Sequence, residues 1–212
     1  MPGFAAAKTP NILIVTLEGS ISPMSSELVN EALNSASASG TPVILVINTP
    51  GGNLDATFNI IEALDKSDVP VIGYVFPAGS KAWSAGTYIL LSTNIAAMAP
   101  HTIIGSAQPV LMDPLGGAVP IEDPKVLNAL DAFLVEKAHM HGRNETASRL
   151  FVLDNLNLSA EEAMEKGVIE IVASSIDELI EMLDGTIIET VDGPFTLKTL
   201  DAETVQWSPS LR

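Results

Sequence analysis

The sequence predicts an α/β fold built on a largely parallel sheet, and three observations carry that expectation. Short apolar runs alternate with segments of helical spacing from Asn11 to Ala99. The connections between them are short, as right-handed strand–helix–strand crossovers require. Two of the runs, Pro42–Asn48 (PVILVIN) and Pro70–Phe76 (PVIGYVF), are apolar almost throughout. Strands covered on both faces read this way, whereas half-exposed strands alternate.

Asn11–Glu18 (NILIVTLE) opens the pattern as a strand, and Ser22–Ala38 follows with helical spacing up to Gly40. After the strand Pro42–Asn48, the segment Asn53–Lys66 places Leu54, Phe58, Ile61 and Leu64 on one helix face. Pro70–Phe76 is the third strand, Ser84–Ser92 an apolar helix and Ile95–Ala99 a short fourth strand. The Pro- and Gly-rich passage from Gln108 to Pro124 is too long for a simple connector and reads as a mobile loop. Helices are expected over Pro124–His141 and Asn144–Leu153. Ser159 and Glu162 form a capping-box start for a short helix ending at Gly167. Val168–Ala173 (VIEIVA) is a strand, Ile176–Leu183 a helix, and Thr186–Leu200 a β-hairpin around Asp192-Gly193. The chain is read as one domain over 1–212, with a core over 8–184 and a small β appendage over 185–212.

Composition narrows the function classes. Lys and Arg number 10 against 26 Asp and Glu, a formal net charge of −16. That balance argues against nucleic acid and anionic lipid as partners, because both need clustered positive charge. Cysteine is absent, which removes disulfide and thiol chemistry. His139 and His141 lie two apart and face different sides of a helix, and with His101 they are the only histidines. A metal site is not expected, and nothing points to a cofactor. Mean hydropathy is high at +0.33. Yet no apolar run approaches the ~20 residues of a membrane span, and the start MPGF lacks a signal-peptide pattern. The expectation is a soluble protein or the soluble piece of a longer one.

Two constellations could carry chemistry. INTPGG, Ile47–Gly52, directly follows a buried strand and precedes a helix, where open α/β sheets bind ligands. Its glycines leave backbone N–H groups uncovered and able to meet an oxyanion; a plain tight turn would also need them. Ser84 in AGSKAWSAGTY opens the next apolar helix. Alone it reads as a helix cap, the commonest such role for serine. It is not the Gly-x-Ser-x-Gly elbow, since Ala82 holds the first glycine position. Together the two features describe one nucleophile beside two N–H donors, one from the PGG turn and one next to Ser84.

INTPGG, AGSKAWSAGTYI, MAPHTIIGSAQPV, GRN and LSAEEAMEKGVIEIVA resemble the ClpP/crotonase superfamily. More closely, they resemble the N-terminal protease domain of NfeD-type membrane proteins, the stomatin-associated serine proteases. The similarity runs from about Asn11 to Leu211. It implies a ClpP-like fold, homodimers, and cleavage of hydrophobic peptide segments, possible substrates including a stomatin-like membrane protein, by a Ser–Lys dyad. Carried over by position, Ser84 matches the nucleophile, and the N–H groups of Gly51 and Ala85 match the oxyanion hole. Family members continue into membrane helices and a small β-barrel that this sequence does not reach. The resemblance therefore implies a soluble domain of a membrane-anchored protein, on the extracytoplasmic side.

The base stays open. Ala107 occupies the position of the ClpP histidine, so that triad is absent. The resemblance implies a lysine from the helix before Gly142-Arg143-Asn144, and ungapped alignment on that block puts it at Val135. Lys137 shares an apolar stripe with Val126, Leu130, Phe133 and Leu134, so it is either desolvated or snorkelling. Lys137 is the assigned base. His139 shares the face of Val135 and is the alternative, while Lys125, Lys81 and His101 read as solvated. Three readings compete: a serine endopeptidase; a catalytically impaired protease-like domain that binds peptide or scaffolds a membrane complex; and an acyl-CoA enzyme. The last is disfavoured because the first 60 residues hold one lysine and no arginine for CoA phosphates.

Overall fold

A computed structural model describes residues 11–112 and 117–209. In chain order the elements are β1 (Asn11–Glu18), α1 (Pro23–Ser39), β2 (Val43–Asn48), α2 (Leu54–Asp65), β3 (Val71–Val75), β4 (Lys81–Trp83) and α3 (Ala85–Leu91). Then come β5 (Ile95–Met98), β6 (Ile103–Gly105), β7 (Val110–Met112), β8 (Ala118–Pro120), α4 (Pro124–Met140) and α5 (Glu145–Leu153). The chain continues through β9 (Asn157–Ser159), α6 (Ala160–Glu165), β10 (Ile171–Val172), α7 (Ile176–Leu183), β11 (Ile187–Thr190), β12 (Gly193–Thr196) and β13 (Glu203–Gln206).

Six strands form the central sheet in the order β10-β5-β3-β2-β1-β13, and every neighbouring pair is parallel. The continuous apolar runs have the reason expected for them: each face of the sheet has its own core. Leu45, Ile47, Val71 and Val75 point to the side of α1, α2 and α3. Ile44, Val46, Ile72 and Tyr74 point to the side of α7, Ile188 and Leu197. Alternate residues of one strand thus enter opposite cores, as the two-residue period of a strand dictates.

Three features depart from the sequence reading. A second, three-stranded sheet β4-β6-β9 stands apart from the main one. Its strands are three residues each, too short to leave a periodic signal. The passage read as a mobile loop contains the antiparallel pair β7–β8, with Val110 opposite Pro120; residues 113–116 lie outside the described residues. The hairpin near the C-terminus is Ile187–Thr196, and the chain then returns to lay β13 alongside β1. Trp207 N–H extends that contact, donating to Ile14 O at 2.8 Å. Among the described residues no helix is long and apolar enough to cross a membrane.

The Gly-Arg-Asn block has a structural use. Arg143, only 5% exposed, donates to the carbonyls of Leu91 and Thr93 at 2.7 and 3.0 Å. It also grips both carboxylate oxygens of Glu170 at 2.8 and 2.9 Å. This one guanidinium therefore satisfies the open carbonyl end of α3 and ties it to the approach to β10. Asn144 caps α5 by accepting from Ala147 N–H at 2.9 Å.

His141 ends α4 beside this knot. Burial, then the charges of Arg143 and Lys137, push its pKa down to about 4. Its folded pKa thus lies below the unfolded value, so the unfolded chain takes up the proton first. The stability this neutral histidine permits is complete above about pH 6.5 and is lost as pH falls toward 4. Urea unfolding should show wild type losing about 1–2 kcal/mol more than His141→Gln between pH 7 and pH 5, allowing for partial exposure. Equal losses in the two proteins would contradict the buried, neutral imidazole.

Candidate active site

The site begins where β2 ends. Beyond Asn48 the chain forms Thr49-Pro50-Gly51-Gly52 before α2, whose Asn53 cap accepts from Ala56 N–H at 2.8 Å. Buried Thr49 stitches this turn to the second sheet, donating to Lys81 O at 2.8 Å and accepting from Trp83 N–H at 3.1 Å. Ile21 holds the other side, donating to Gly51 O and accepting from Asn53 N–H, both at 2.9 Å. The two glycines are needed here. Gly52 (φ +157°) has no room for a side chain, since a Cβ would lie 2.2 Å from Ile21 O. A Cβ on Gly51 (φ +117°) would lie 2.8 Å from Ser84 Cβ and 3.2 Å from Ser84 Oγ. The turn is therefore pressed against the serine.

Ser84 joins β4 to α3 with φ 48° and ψ −114°, a left-side backbone rarely adopted by a residue with a side chain. Its N–H donates to Gly105 O at 3.0 Å, so the second sheet holds it in place. Its side chain makes no cap hydrogen bond. The cap role that a lone serine suggests is thus not taken, and the hydroxyl is left to the cavity. Ala85 is the first residue of α3, and its amide precedes the first intrahelical acceptor. Its nitrogen lies 3.7 Å from the point a Gly51 Cβ would occupy. Gly51 N–H, in contrast, donates to Thr49 Oγ1 at 3.1 Å. Of the two amides expected to meet an oxyanion, one already has an acceptor.

Ser84 opens into a cavity of about 870 Å³. Gly51, Gly52 and Asn53 of the turn line it together with Ser106, Gln108 and Asn155, and Val110 and Pro120 add a residue from each strand of the β7–β8 pair. Among the described residues lining it, none is acidic, basic or histidine.

The sequence-predicted partners fall elsewhere. Lys137 is 6% exposed, but its ammonium pairs with Asp65 Oδ2 at 2.5 Å and lies 5.4 Å from the Phe133 ring centre. Asp65 is the last residue of α2, whereas the cavity is at the first turn; twelve residues of helix, about 18 Å, separate the two ends. The structure does not bring Lys137 to Ser84. Its apolar stripe reflects a buried lysine paired with a half-buried carboxylate. His139 is exposed on the same end of α4 and bonds Glu145 Oε1 through Nδ1 at 2.8 Å, which raises its pKa. Val135 lies in that half of α4 as well. Ala107 is buried and accepts at its carbonyl from Tyr88 Oη at 3.3 Å. Lys81 lies 5.3 Å from the Trp83 ring centre, and His101 is exposed beyond β5. Lys125 sits at the other end of α4, five residues after cavity-lining Pro120. Gln108 lies in the MAPHTIIGSAQPV block but was not singled out there, and Asn155 carried no motif signal.

The family model of the NfeD1b N-terminal domain matches residues 11–190. The membrane-bound protease PH1510 of Pyrococcus horikoshii is 39% identical over 172 residues, covering 80% of this chain and 39% of that protein. Membrane protein NfeD1b of Bacillus subtilis is 27% identical over 193 residues, covering 84% and 42%. The chain thus spans about two fifths of these relatives. Two solved structures of the 1510-N membrane-bound stomatin-specific protease superpose closely. A lysine-to-alanine mutant in complex with a substrate peptide gives a TM-score of 0.90 at 32% identity, covering 96% of this chain and 94% of that one. A serine-to-alanine mutant gives 0.89 at 33%, covering 96% and 100%.

The close approach of the turn to Ser84 makes a structural prediction. Gly51→Ala should keep the fold by circular dichroism but lower stability in urea unfolding by about 1–3 kcal/mol. A loss below about 0.5 kcal/mol would contradict the 2.8 Å contact.

Proposed function

The chain belongs to the NfeD1b N-terminal domain family, and from that premise we propose that it is a serine endopeptidase with Ser84 as nucleophile. The observation that carries this reading is the backbone of Ser84. It is held at φ 48° by the second sheet, with an uncapped hydroxyl facing a cavity and a glycine turn against its Cβ. Strained backbone of this kind clusters at functional sites.

The base is Lys125. In the solved neighbours the mutated lysine lies 41 positions after the mutated serine, and Lys125 stands at that same distance from Ser84. This spacing supports Lys125 over Val135, where alignment on Gly-Arg-Asn put the lysine, and over Lys137, which is committed to Asp65. A lysine works as a base only when desolvation favours its neutral amine. Val110, Leu111 and Val119 leave an exposed apolar surface on the β7–β8 hairpin just ahead of α4, and a bound apolar peptide completes it.

In the reaction, the Lys125 amine takes the Ser84 proton as Oγ attacks the scissile carbonyl. The resulting oxyanion is met by Ala85 N–H and by Gly51 N–H, the latter exchanging Thr49 Oγ1 for the substrate oxygen. Collapse breaks the C–N bond, and the leaving amine recovers the proton from Lys125. Water then hydrolyses the Ser84 ester. The substrate is an apolar peptide segment, and a stomatin-like membrane protein follows from what the solved neighbours are named for. Homodimers and membrane attachment on the extracytoplasmic side belong to the same reading.

A second reading has its own support. No titratable side chain is among the described residues lining the cavity, which suits a domain that binds peptide without cutting it. An apolar peptide assay separates the two. Wild type should cleave; Ser84→Ala and Lys125→Ala should each lose at least about a thousandfold in kcat/KM, with little further loss in the double variant. Lys137→Met should stay within about threefold of wild type. Cleavage surviving in Ser84→Ala would overturn the nucleophile, and survival in Lys125→Ala the base. Peptide binding without cleavage by wild type would favour the second reading.

A further inference from the structure

The geometry points to Gln108 and Asn155 as a positioning pair that reads the main chain of the peptide, an inference that rests on the peptidase reading above. Both residues line the Ser84 cavity, and they flank the β6–β9 pair, which joins β4 on the edge away from Thr49 and the Gly51 turn. They are bonded reciprocally: Gln108 N–H donates to Asn155 Oδ1 at 3.3 Å, and Asn155 Nδ2 donates to Gln108 Oε1 at 2.6 Å. The pair is anchored from below, since Asn157 Nδ2 donates to Asn155 O at 3.0 Å and to Ser106 Oγ at 2.8 Å.

The pair has no evident role in stability. Asn155 is exposed and follows the Asp154 cap of α5 with φ 50°, a position where glycine serves equally well. Its carboxamide is what glycine would lack. Hydrogen bonds this open to water contribute little to folding. The reciprocal bonding does fix both amides in one orientation. It also leaves the two Gln108 Nε2 hydrogens, one Asn155 Nδ2 hydrogen and a lone pair on each oxygen unused. Donors and acceptors side by side match the alternating N–H and C=O groups of an extended peptide, and they carry no charge that would select a side chain. The partner recognised is thus a peptide main chain running between the PGG turn and the carboxamide pair.

The test compares a long apolar peptide with a small ester that has no flanking peptide, using full-chain protein. Asn155→Gly keeps the backbone preference and Gln108→Ala removes the other half. Each should raise KM for the peptide about threefold to tenfold, with kcat and the ester kcat/KM changed much less. A KM for the peptide that stays at the wild-type value would overturn the pair's role while leaving the peptidase reading intact. Equal losses on peptide and ester, in step with a lowered Tm, would overturn it as well by making the pair structural only. Loss of the peptidase reading itself shows separately, as cleavage that does not depend on Ser84.

Discussion

Everything at the site depends on how closely the Gly51 turn approaches Ser84. The gap leaves no space for a Cβ, so the turn must be glycine and must be held from both sides. Ile21 holds it from the connection between β1 and α1, and Thr49 holds it to β4. The serine in turn is fixed by Gly105 on β6. Two sheets with different jobs meet at this contact. The parallel sheet delivers the turn at the end of β2, and the small sheet sets the backbone of the serine. Gly86 adds a further requirement, since a Cβ there would meet Thr49 Cγ2 at 2.7 Å and push α3 off the turn.

The molecule separates its charges from this contact. At the far end of the strands and helices, Arg143 grips Glu170, Lys137 pairs with Asp65, and His141 is kept neutral. The buried cations among these, Arg143 and Lys137, persist because each is paired and hydrogen-bonded. Around Ser84 the described lining is hydroxyl, carboxamide and apolar. In the proposed reaction the base comes from Lys125, in the first turn of α4 and five residues after cavity-lining Pro120. The same helix offers lysines near both of its ends, and position along the helix distinguishes them better than amphipathicity does.

The parallel sheet was legible because β2 and β3 are apolar on both faces, which no half-exposed strand is. INTPGG and Ser84 were legible as a pair because strand ends in such sheets converge. Less was visible where the signal is not local. Three-residue strands such as Lys81–Trp83 have no period to read, so the sheet that sets Ser84 φ was missed. Lys137 lies on an apolar stripe, which correctly indicates burial but not that Asp65, 72 residues away in sequence, is its partner. The engagement of Gly51 N–H by Thr49 Oγ1 is likewise a matter of geometry within a turn. Gln108 and Asn155 become noticeable only when folding places them in one cavity lining with the serine.

In the proposed reaction this geometry makes Ser84 chemically distinct from the other hydroxyls of the same cavity, Ser20 and Ser106. The most direct measurement is mass-spectrometric mapping of the protein after reaction with a fluorophosphonate. The expected result is one adduct per chain, carried by Ser84. An adduct on Ser106 or Ser20, or none across mildly acid to alkaline pH, would contradict it.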